Sequence, residues 1–259
     1  MDLGLTGKSV LITGGSKGIG AGIAEAFVKE GCQVFLVSRS ATTLAATTAG
    51  LQARCGTTVP YLSVDLAQAD APKQVFDWCP DADIVVNNAG AIPAGDIDAI
   101  DAQTWRTAWD LKVYGYIDLA RLYFARMRER RDGVVLNIIG VAGEMADPNY
   151  IAGASGNAAL IAFTQALGSI SLAHGVRVLG INPGPVETER LVRQLRRRAA
   201  ATLGDEARWR ELYASFPSGR AASVEEIAVA ALFLTSALSS YTSGTILTID
   251  GGLSKRRAG

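Results

Sequence analysis

The stretch Ser9-Val10-Leu11-Ile12-Thr13-Gly14-Gly15-Ser16-Lys17-Gly18-Ile19-Gly20 decides how the chain is read. A short apolar run ends in a glycine-rich turn, and a helical pattern, Gly18–Glu30, follows at once. Glycine lets the backbone turn tightly and approach a pyrophosphate. The helix N-terminus behind it offers free N–H groups and a positive dipole end. Placed directly between strand and helix, such a loop marks a nucleotide-binding unit. A tight turn without a ligand would use the same glycines.

Outward from this unit, apolar runs and helical patterns alternate to the end of the chain. The runs are Ser9–Ile12, Gln33–Val37, Val59–Val64, Ile84–Val86, Val134–Ile138, Val176–Ile181 and Ile246–Ile249. They barely alternate with polar residues, as expected of strands buried on both faces. Between them lie helical segments Gly18–Glu30, Thr42–Arg54, Ala71–Cys79, Ala102–Arg130, Tyr150–Ala173 and Val224–Thr235. Asp101 and Ser223 suit N-caps, and Gly31 and Gly175 suit C-terminal caps. The pattern predicts an α/β fold: a seven-stranded, doubly wound parallel sheet in a Rossmann-type three-layer arrangement. No linker divides residues 1–259, which read as one domain. One segment departs, Thr188 to Arg220. It carries Arg190, Arg193, Arg196, Arg197 and Arg198, then Trp209, Tyr213 and Phe216. It reads either as a solvated helix face or as a lid over a substrate.

Composition narrows the function. Of 259 residues 49% are hydrophobic, ample for a core, and 25 Lys and Arg balance 25 Asp and Glu. A neutral chain gives no reason to expect nucleic acid or anionic membrane as a partner. The start shows no signal-peptide pattern and no apolar run looks long enough to span a bilayer, so a cytoplasmic location is expected. Cys32, Cys55 and Cys79 lack metal-site spacing and read as idle thiols. One histidine, His174, makes a zinc or Ser-His-Asp site improbable and suits a helix end.

The second run ends Val37-Ser38-Arg39-Ser40, with no acid for a ribose 2′-hydroxyl. Arg39 suits a 2′-phosphate, and Lys17 of the glycine loop is placed to help. The expected cofactor is therefore NADP(H), preferred over NAD(H).

The set Thr13–Gly20, Asp65, Asn87-Asn88-Ala89-Gly90, Asn182-Pro183-Gly184-Pro185-Val186-Glu187-Thr188 and Asp250-Gly251-Gly252 resembles the short-chain dehydrogenase/reductase family over nearly the whole chain. The resemblance implies strand order 3-2-1-4-5-6-7. It implies cofactor contacts from Gly14, Ser16, Lys17, Gly18, Ile19, Gly20, Ser38 and Arg39, and from Asp65 and Leu66 near adenine. Asn88, Ala89, Gly90, Ile138, Asn157, Pro183, Gly184, Val186 and Thr188 would follow the cofactor to its nicotinamide end. It also implies a homotetramer or dimer packed through the helices Ala102–Arg130 and Tyr150–Ala173.

The family transfers a hydride between nicotinamide and a carbonyl or alcohol. It uses a Tyr acid/base, a Lys four residues later, a Ser thirteen residues before the Tyr, and an Asn on the fourth helix. Asn157-Ala158-Ala159-Leu160 matches the segment beginning at that Lys, which sets the Tyr place at Gly153. Counting back gives Gly140 for the Ser, and Val141-Ala142-Gly143 follows it as in the family. The Asn place falls on Lys112, framed by Trp105 and Gly115. All four positions are thus substituted, and the standard route should be very slow.

Tyr150 could substitute, with Lys112 returning a cation from the other helix. Against this, a helical Tyr150 would stand about 4.5 Å up the axis from Gly153 and lean away from it. Otherwise Tyr150 is a pocket-wall or interface residue, and Lys112 pairs with Asp110 or Glu144. The leading reading is an NADP(H)-binding member unable to run the standard transfer, in a binding, sensing or partner role. The alternative is an atypical oxidoreductase using Tyr150 and Lys112 on a substrate admitted by the arginine-rich insertion, an anionic one included. A third reading is elimination or isomerisation with Glu144 or Asp147 as base.

Overall fold

The computed structural model describes residues 2–256. Seven strands form one parallel sheet: β1 (Ser9–Thr13), β2 (Gln33–Ser38), β3 (Tyr61–Ser63), β4 (Ile84–Asn87), β5 (Gly133–Ile138), β6 (Val176–Pro183) and β7 (Ile246–Ile249). Their order is β3-β2-β1-β4-β5-β6-β7, the expected one. Side chains alternate across a strand, so each strand feeds two cores. Val10 and Ile12 of β1 join Val34, Leu36, Val86, Leu136 and Leu179 on one face, beneath α1 (Gly18–Lys29), α2 (Ala41–Cys55) and α8 (Val224–Thr235). Leu11, Val37, Val85, Val135 and Val178 face the other way, against α3 (Ala71–Trp78) and α5 (Gly115–Arg130). Burial on both faces explains why the sequence runs lack a polar alternation. The strand order reverses between β1 and β4, so the crevice at their carboxyl ends is the natural ligand position.

Predicted caps are observed. Asp101 accepts from Thr104 N at 2.8 Å, Ser223 and Glu226 form a reciprocal capping box, and Gly175 adopts φ 73°. Three boundaries differ from expectation. The third strand is only Tyr61–Ser63, because this edge strand pairs with β2 alone. Helix Tyr150–Ala173 begins one residue later, as α6 (Ile151–Ser171), and ends in a 3-10 turn at Leu172–His174. Segment Ala102–Arg130 is not one continuous α-helix. It is α4 (Ala102–Trp109), a π-turn at Asp110–Tyr114, then α5. A π-turn inserts a residue into the helix and re-aims its side chains, commonly at functional sites. Lys112 is at its centre.

The helix Ile151–His174 has a mean hydropathy of 1.2 and is long enough to cross a membrane, which corrects the expectation that no such segment exists. Here it covers the sheet. Leu160 and Thr164 are fully buried, and a side chain at Gly168 would collide with the backbone of Gly244.

The arginine-rich segment forms α7 (Glu189–Leu203) and a 3-10 stretch, Glu206–Ser215. Leu195, Ala199 and Trp209 give it a small core of its own, with Tyr213 and Phe216 packed against them. Its arginines divide between both sequence readings. Arg196 lies 4.0 Å from Glu206, Arg197 and Arg198 are exposed, and Arg190 and Arg193 line the cleft described next. Cys32 and Cys79 are buried free thiols pushed up to about 11 by burial, and Cys55 is also free.

Candidate functional site

A cleft of about 540 Å³ runs along the carboxyl ends of the central strands. Of the expected cofactor residues, Gly14, Lys17, Gly18, Ile19, Asn88, Ala89, Gly90, Ile138, Asn157, Pro183, Gly184 and Thr188 line it. Ser16, Gly20, Ser38, Arg39, Asp65, Leu66 and Val186 do not. A somewhat larger groove, about 640 Å³ between α3 and α5, contains none of these residues.

Local packing explains the glycines at the phosphate end. At Gly14 (φ 65°) a side chain would press on the Ala89 backbone at 2.9 Å. At Gly20 it would strike the Gly14 carbonyl, so Gly20 permits helix–loop packing instead of facing the cleft. Gly18 (φ 53°) has Thr188 3.2 Å from where a Cβ would stand, which brings loop and α7 together. Asn88 ties the loop down, donating to the Thr13 carbonyl at 3.0 Å and the Gly14 carbonyl at 3.2 Å. Lys17 begins α1 without a side-chain cap, so the first helical amides remain for an anion.

At the far end, Ser16 and Ser38 share a hydroxyl–hydroxyl bond of 3.0 Å, and Arg39 is exposed. Asp65 accepts from Ala67 N in its own turn, while Leu66 and Val186 are core residues. Lys17 does not turn towards Arg39. It pairs with Glu189 at 3.3 Å, on the α7 side, which corrects the expected convergence of the two cations.

Asn157 is 3% exposed, donates to the Gly140 carbonyl at 3.3 Å, and leaves its Oδ1 without a partner. A buried, unpaired acceptor in a cleft is costly unless a ligand donor reaches it. A ribose hydroxyl has the required chemistry. Together with the open amides of α1, this fits an NADP(H) molecule laid along the cleft.

At the chemical end, Gly140 (φ 126°) faces Asn157, with 3.0 Å between the Cβ position and the amide nitrogen. Gly153 is explained by Tyr150. Tyr150 is not helical (φ −141°, ψ 39°), and its ring leans forward over residue 153, so that an added Cβ there would overlap its phenol end at Cζ. This overturns the expectation that Tyr150 leans away, which presumed a helical backbone. A tyrosine at position 153 would carry its hydroxyl a full ring beyond this Cβ position, so the Tyr150 phenol end is set back from that point. Burial holds the phenol above its ordinary value, with Arg190 pulling the other way. It is therefore a hydrogen-bonding wall group at neutral pH.

A test follows from this packing. Gly153→Ala should destabilise the protein by about 1–3 kcal/mol through overpacking, although alanine is the better helix former by about 1 kcal/mol. In a Tyr150→Ala background the same change should be neutral or stabilising. Equal costs in both backgrounds, in a denaturation double-mutant cycle, would show that the ring does not claim this space.

Lys112 does not pair with Asp110 or Glu144. Its stem passes Gly90 and its ammonium donates to the Ile139 carbonyl at 2.5 Å, beside Gly140. Burial first, and Arg190 second, push it down to about 7. Glu144 is occupied elsewhere, accepting from Asn182 (2.8 Å), Thr248 (2.5 Å) and Lys255 (2.6 Å), which hold its carboxyl below the usual range. Asp147 accepts from the nearby Asn149 amide. Arg190 donates to the carbonyls of Gly90 (3.4 Å) and Ile92 (3.1 Å). Sequence reasoning offered the whole arginine-rich segment as a lid but did not single out Arg190 and Arg193 as its cleft-lining members. Their position just after Thr188, in the segment that closes the nicotinamide end, was the available signal.

The sheet order and the switch-point cleft define a Rossmann-type protein with a nucleotide-shaped site. A family model described as Enoyl-(Acyl carrier protein) reductase matches residues 14–254. The chain is 31% identical to the 3-oxoacyl-[acyl-carrier-protein] reductase FabG of Chlamydia muridarum, over 96% of this chain and 98% of that one. It is 33% identical to the Oxidoreductase UcpA of Escherichia coli K12, over 96% and 95%. The crystal structure of L-sorbose reductase from Gluconobacter frateurii, complexed with NADPH and L-sorbose, superposes with a TM-score of 0.91 at 30% identity, covering 99% of this chain and all of that one. The chain belongs to the short-chain dehydrogenase/reductase family.

Proposed function

We propose that the chain is an NADP(H)-dependent oxidoreductase of atypical site, in which Lys112 handles the proton that the family's tyrosine handles elsewhere. The observation that carries this is the ammonium of Lys112, fixed on the Ile139 carbonyl beside Gly140 and Asn157 and pushed down to about 7. A group titrating near working pH is the efficient acid and base. When bound, NADPH supplies a hydride to the carbonyl carbon. Lys112 gives the carbonyl oxygen its proton, becomes neutral, and is reprotonated from water; in the oxidative direction it accepts the proton. One ammonium hydrogen holds the Ile139 carbonyl and two remain for substrate. Asn157 Oδ1 would accept from the cofactor ribose, and Tyr150 walls the space above Gly153. The sorbose reductase bound to NADPH supports the cofactor class. Steady oxidation of NADPH across a panel of aldehydes and ketones tests the proposal.

A second reading keeps the same fold and cofactor without turnover, as a binding or partner chain. The bare backbone at Gly140 and Gly153 and the set-back Tyr150 hydroxyl favour it. Tight NADPH binding with no NADPH consumption on the whole panel would select it. The proposed homo-oligomer, a tetramer or dimer packing α4–α5 and α6 against their copies, finds support in exposed Tyr114 and Ile170 on these segments.

For cofactor choice, exposed Arg39 with no acid beside it on β2 supports NADP(H). Calorimetry should find NADPH bound at least about tenfold tighter than NADH, with Arg39→Asp reversing the order. Equal affinities in the wild-type protein would remove the assignment.

A further inference from the structure

We infer that the cleft selects carbonyl or alcohol substrates that carry a carboxylate, gripped by Arg190 with Arg193 behind it. The inference rests on the oxidoreductase reading given above. Thr188 caps α7 at the cleft wall, its hydroxyl accepting from Leu191 N at 3.3 Å. Arg190 and Arg193 therefore leave the first turns three residues apart, on one helix face. Both line the cleft.

Their partners are informative. Arg190 donates to the backbone carbonyls of Gly90 and Ile92 and lies beside the Tyr150 phenol, partners that are all neutral. Elsewhere nearby, cations are matched with acids: Lys17 with Glu189 and Arg196 with Glu206. Glu189 is the one carboxylate lining the cleft, and Lys17 holds it. Among the described residues, no carboxylate lies within 4.0 Å of Arg190 or Arg193. Across the same space stands Lys112, whose ammonium Arg190 disfavours. Three cations without an acid partner, Lys112, Arg190 and Arg193, thus line a space whose only carboxylate is held by the fourth, Lys17.

Like charges gathered in this way repel unless an anion joins them. A guanidinium presents a planar fork that matches a carboxylate through two parallel hydrogen bonds. A carboxylate on Arg190 would also favour the protonated form of Lys112, the form needed to reduce a carbonyl on the same molecule. A neutral sugar or ketone would leave the cations facing one another. The cofactor's own phosphates are the competing anions. Arg190, however, is fastened to Gly90 and Ile92 and lies beside Tyr150, at the chemical end and not at the glycine loop.

The test uses the full chain saturated with NADP⁺, so that the cofactor's phosphates are already placed. Malonate, succinate and 4-oxopentanoate are titrated by calorimetry, each against its amide counterpart. At least one carboxylate is expected to bind at least about tenfold tighter than its amide. Arg190→Gln should abolish that advantage, Arg193→Gln reduce it, and Arg196→Gln leave it intact. If Arg190→Gln does not fold, Arg190→Lys keeps the charge and loses the fork, and should lose most of the advantage. Failure of every carboxylate to bind, equal binding of acid and amide, or carboxylate binding only in the absence of NADP⁺ would each overturn the inference. The readout is binding, so absence of turnover would count against the proposed reaction and not against this site.

Discussion

Replacing Lys112 with Met is expected to lower the rate of NADPH-dependent carbonyl reduction by about two to four orders of magnitude, the usual worth of a positioned proton donor. The stem of methionine still fills the path past Gly90, so the loss reads the ammonium and not a cavity. The pH dependence gives the sign. Reduction needs Lys112 protonated, so kcat/KM should be level below about 7 and fall as pH rises through about 7. Oxidation needs the neutral amine and should rise over the same range. Both limbs should vanish in Lys112→Met. Stability makes the result interpretable. The folded value of about 7 lies below the ordinary 10.5, so the folded state binds the proton more weakly than the unfolded chain does. The associated cost is fully present below about pH 7 and is lost as pH rises towards 10.5. Removing the ammonium should therefore leave the protein at least as stable at neutral pH. A Lys112→Met protein that is folded, binds NADPH and retains the wild-type rate and profile would falsify the proton role.

The second large effect concerns Arg177, near the start of β6, the strand next to the β7 edge of the sheet. Its side chain is 8% exposed and reaches the end of α8, where the carbonyls of Leu234, Thr235, Ser236 and Ser239 accept from it. The last carbonyls of a helix have no partner of their own and carry the negative end of its dipole. Here one guanidinium serves the last two carbonyls of α8, that of its C-cap Ser236 and that of Ser239 in the 3-10 turn that follows. Arg177→Met should cost about 3–5 kcal/mol, since it leaves buried acceptors unsatisfied. The melting temperature should fall by about 10 °C. Arg177→Lys, with three hydrogens on a single nitrogen, should recover part of this. A loss below about 1 kcal/mol on Arg177→Met would mean that water reaches these carbonyls in the native state.

Much of the site could be read before any coordinates. The places proposed as substituted, at Gly140, Gly153, Asn157 and Lys112, came from the family resemblance, with Asn157-Ala158-Ala159-Leu160 and Val141-Ala142-Gly143 setting the register. Tyr150 was misjudged for a definite reason. Its lean was derived from helical dihedrals, whereas Tyr150 is the last residue before the helix and is not helical (φ −141°, ψ 39°). Lys112 was read either as a cation returning from the other helix or as the partner of an acid, and its observed partner is the Ile139 carbonyl. The π-turn at Asp110–Tyr114 has no proline to announce it, and it aims the ammonium at a strand-end carbonyl. Arg39 and Lys17 are each at the expected place in the chain, yet they do not converge, because a loop position fixes the Cα and not the direction of a long flexible side chain.

The strand order and the places proposed as substituted were legible only through the family resemblance, whereas the sequence by itself determined the alternation of strands and helices, the glycine loop and the helix caps. Each of the latter is a local or periodic property: apolar runs, turn residues and fixed spacings survive projection onto one dimension. Only the tertiary structure decided what fills the replaced positions. Tyr150 covering Gly153, Lys112 held on the Ile139 carbonyl, Arg190 entering from α7 and Arg177 capping α8 all join residues distant in the chain. Such contacts depend on where whole elements pack, and no local pattern in the sequence carries that information.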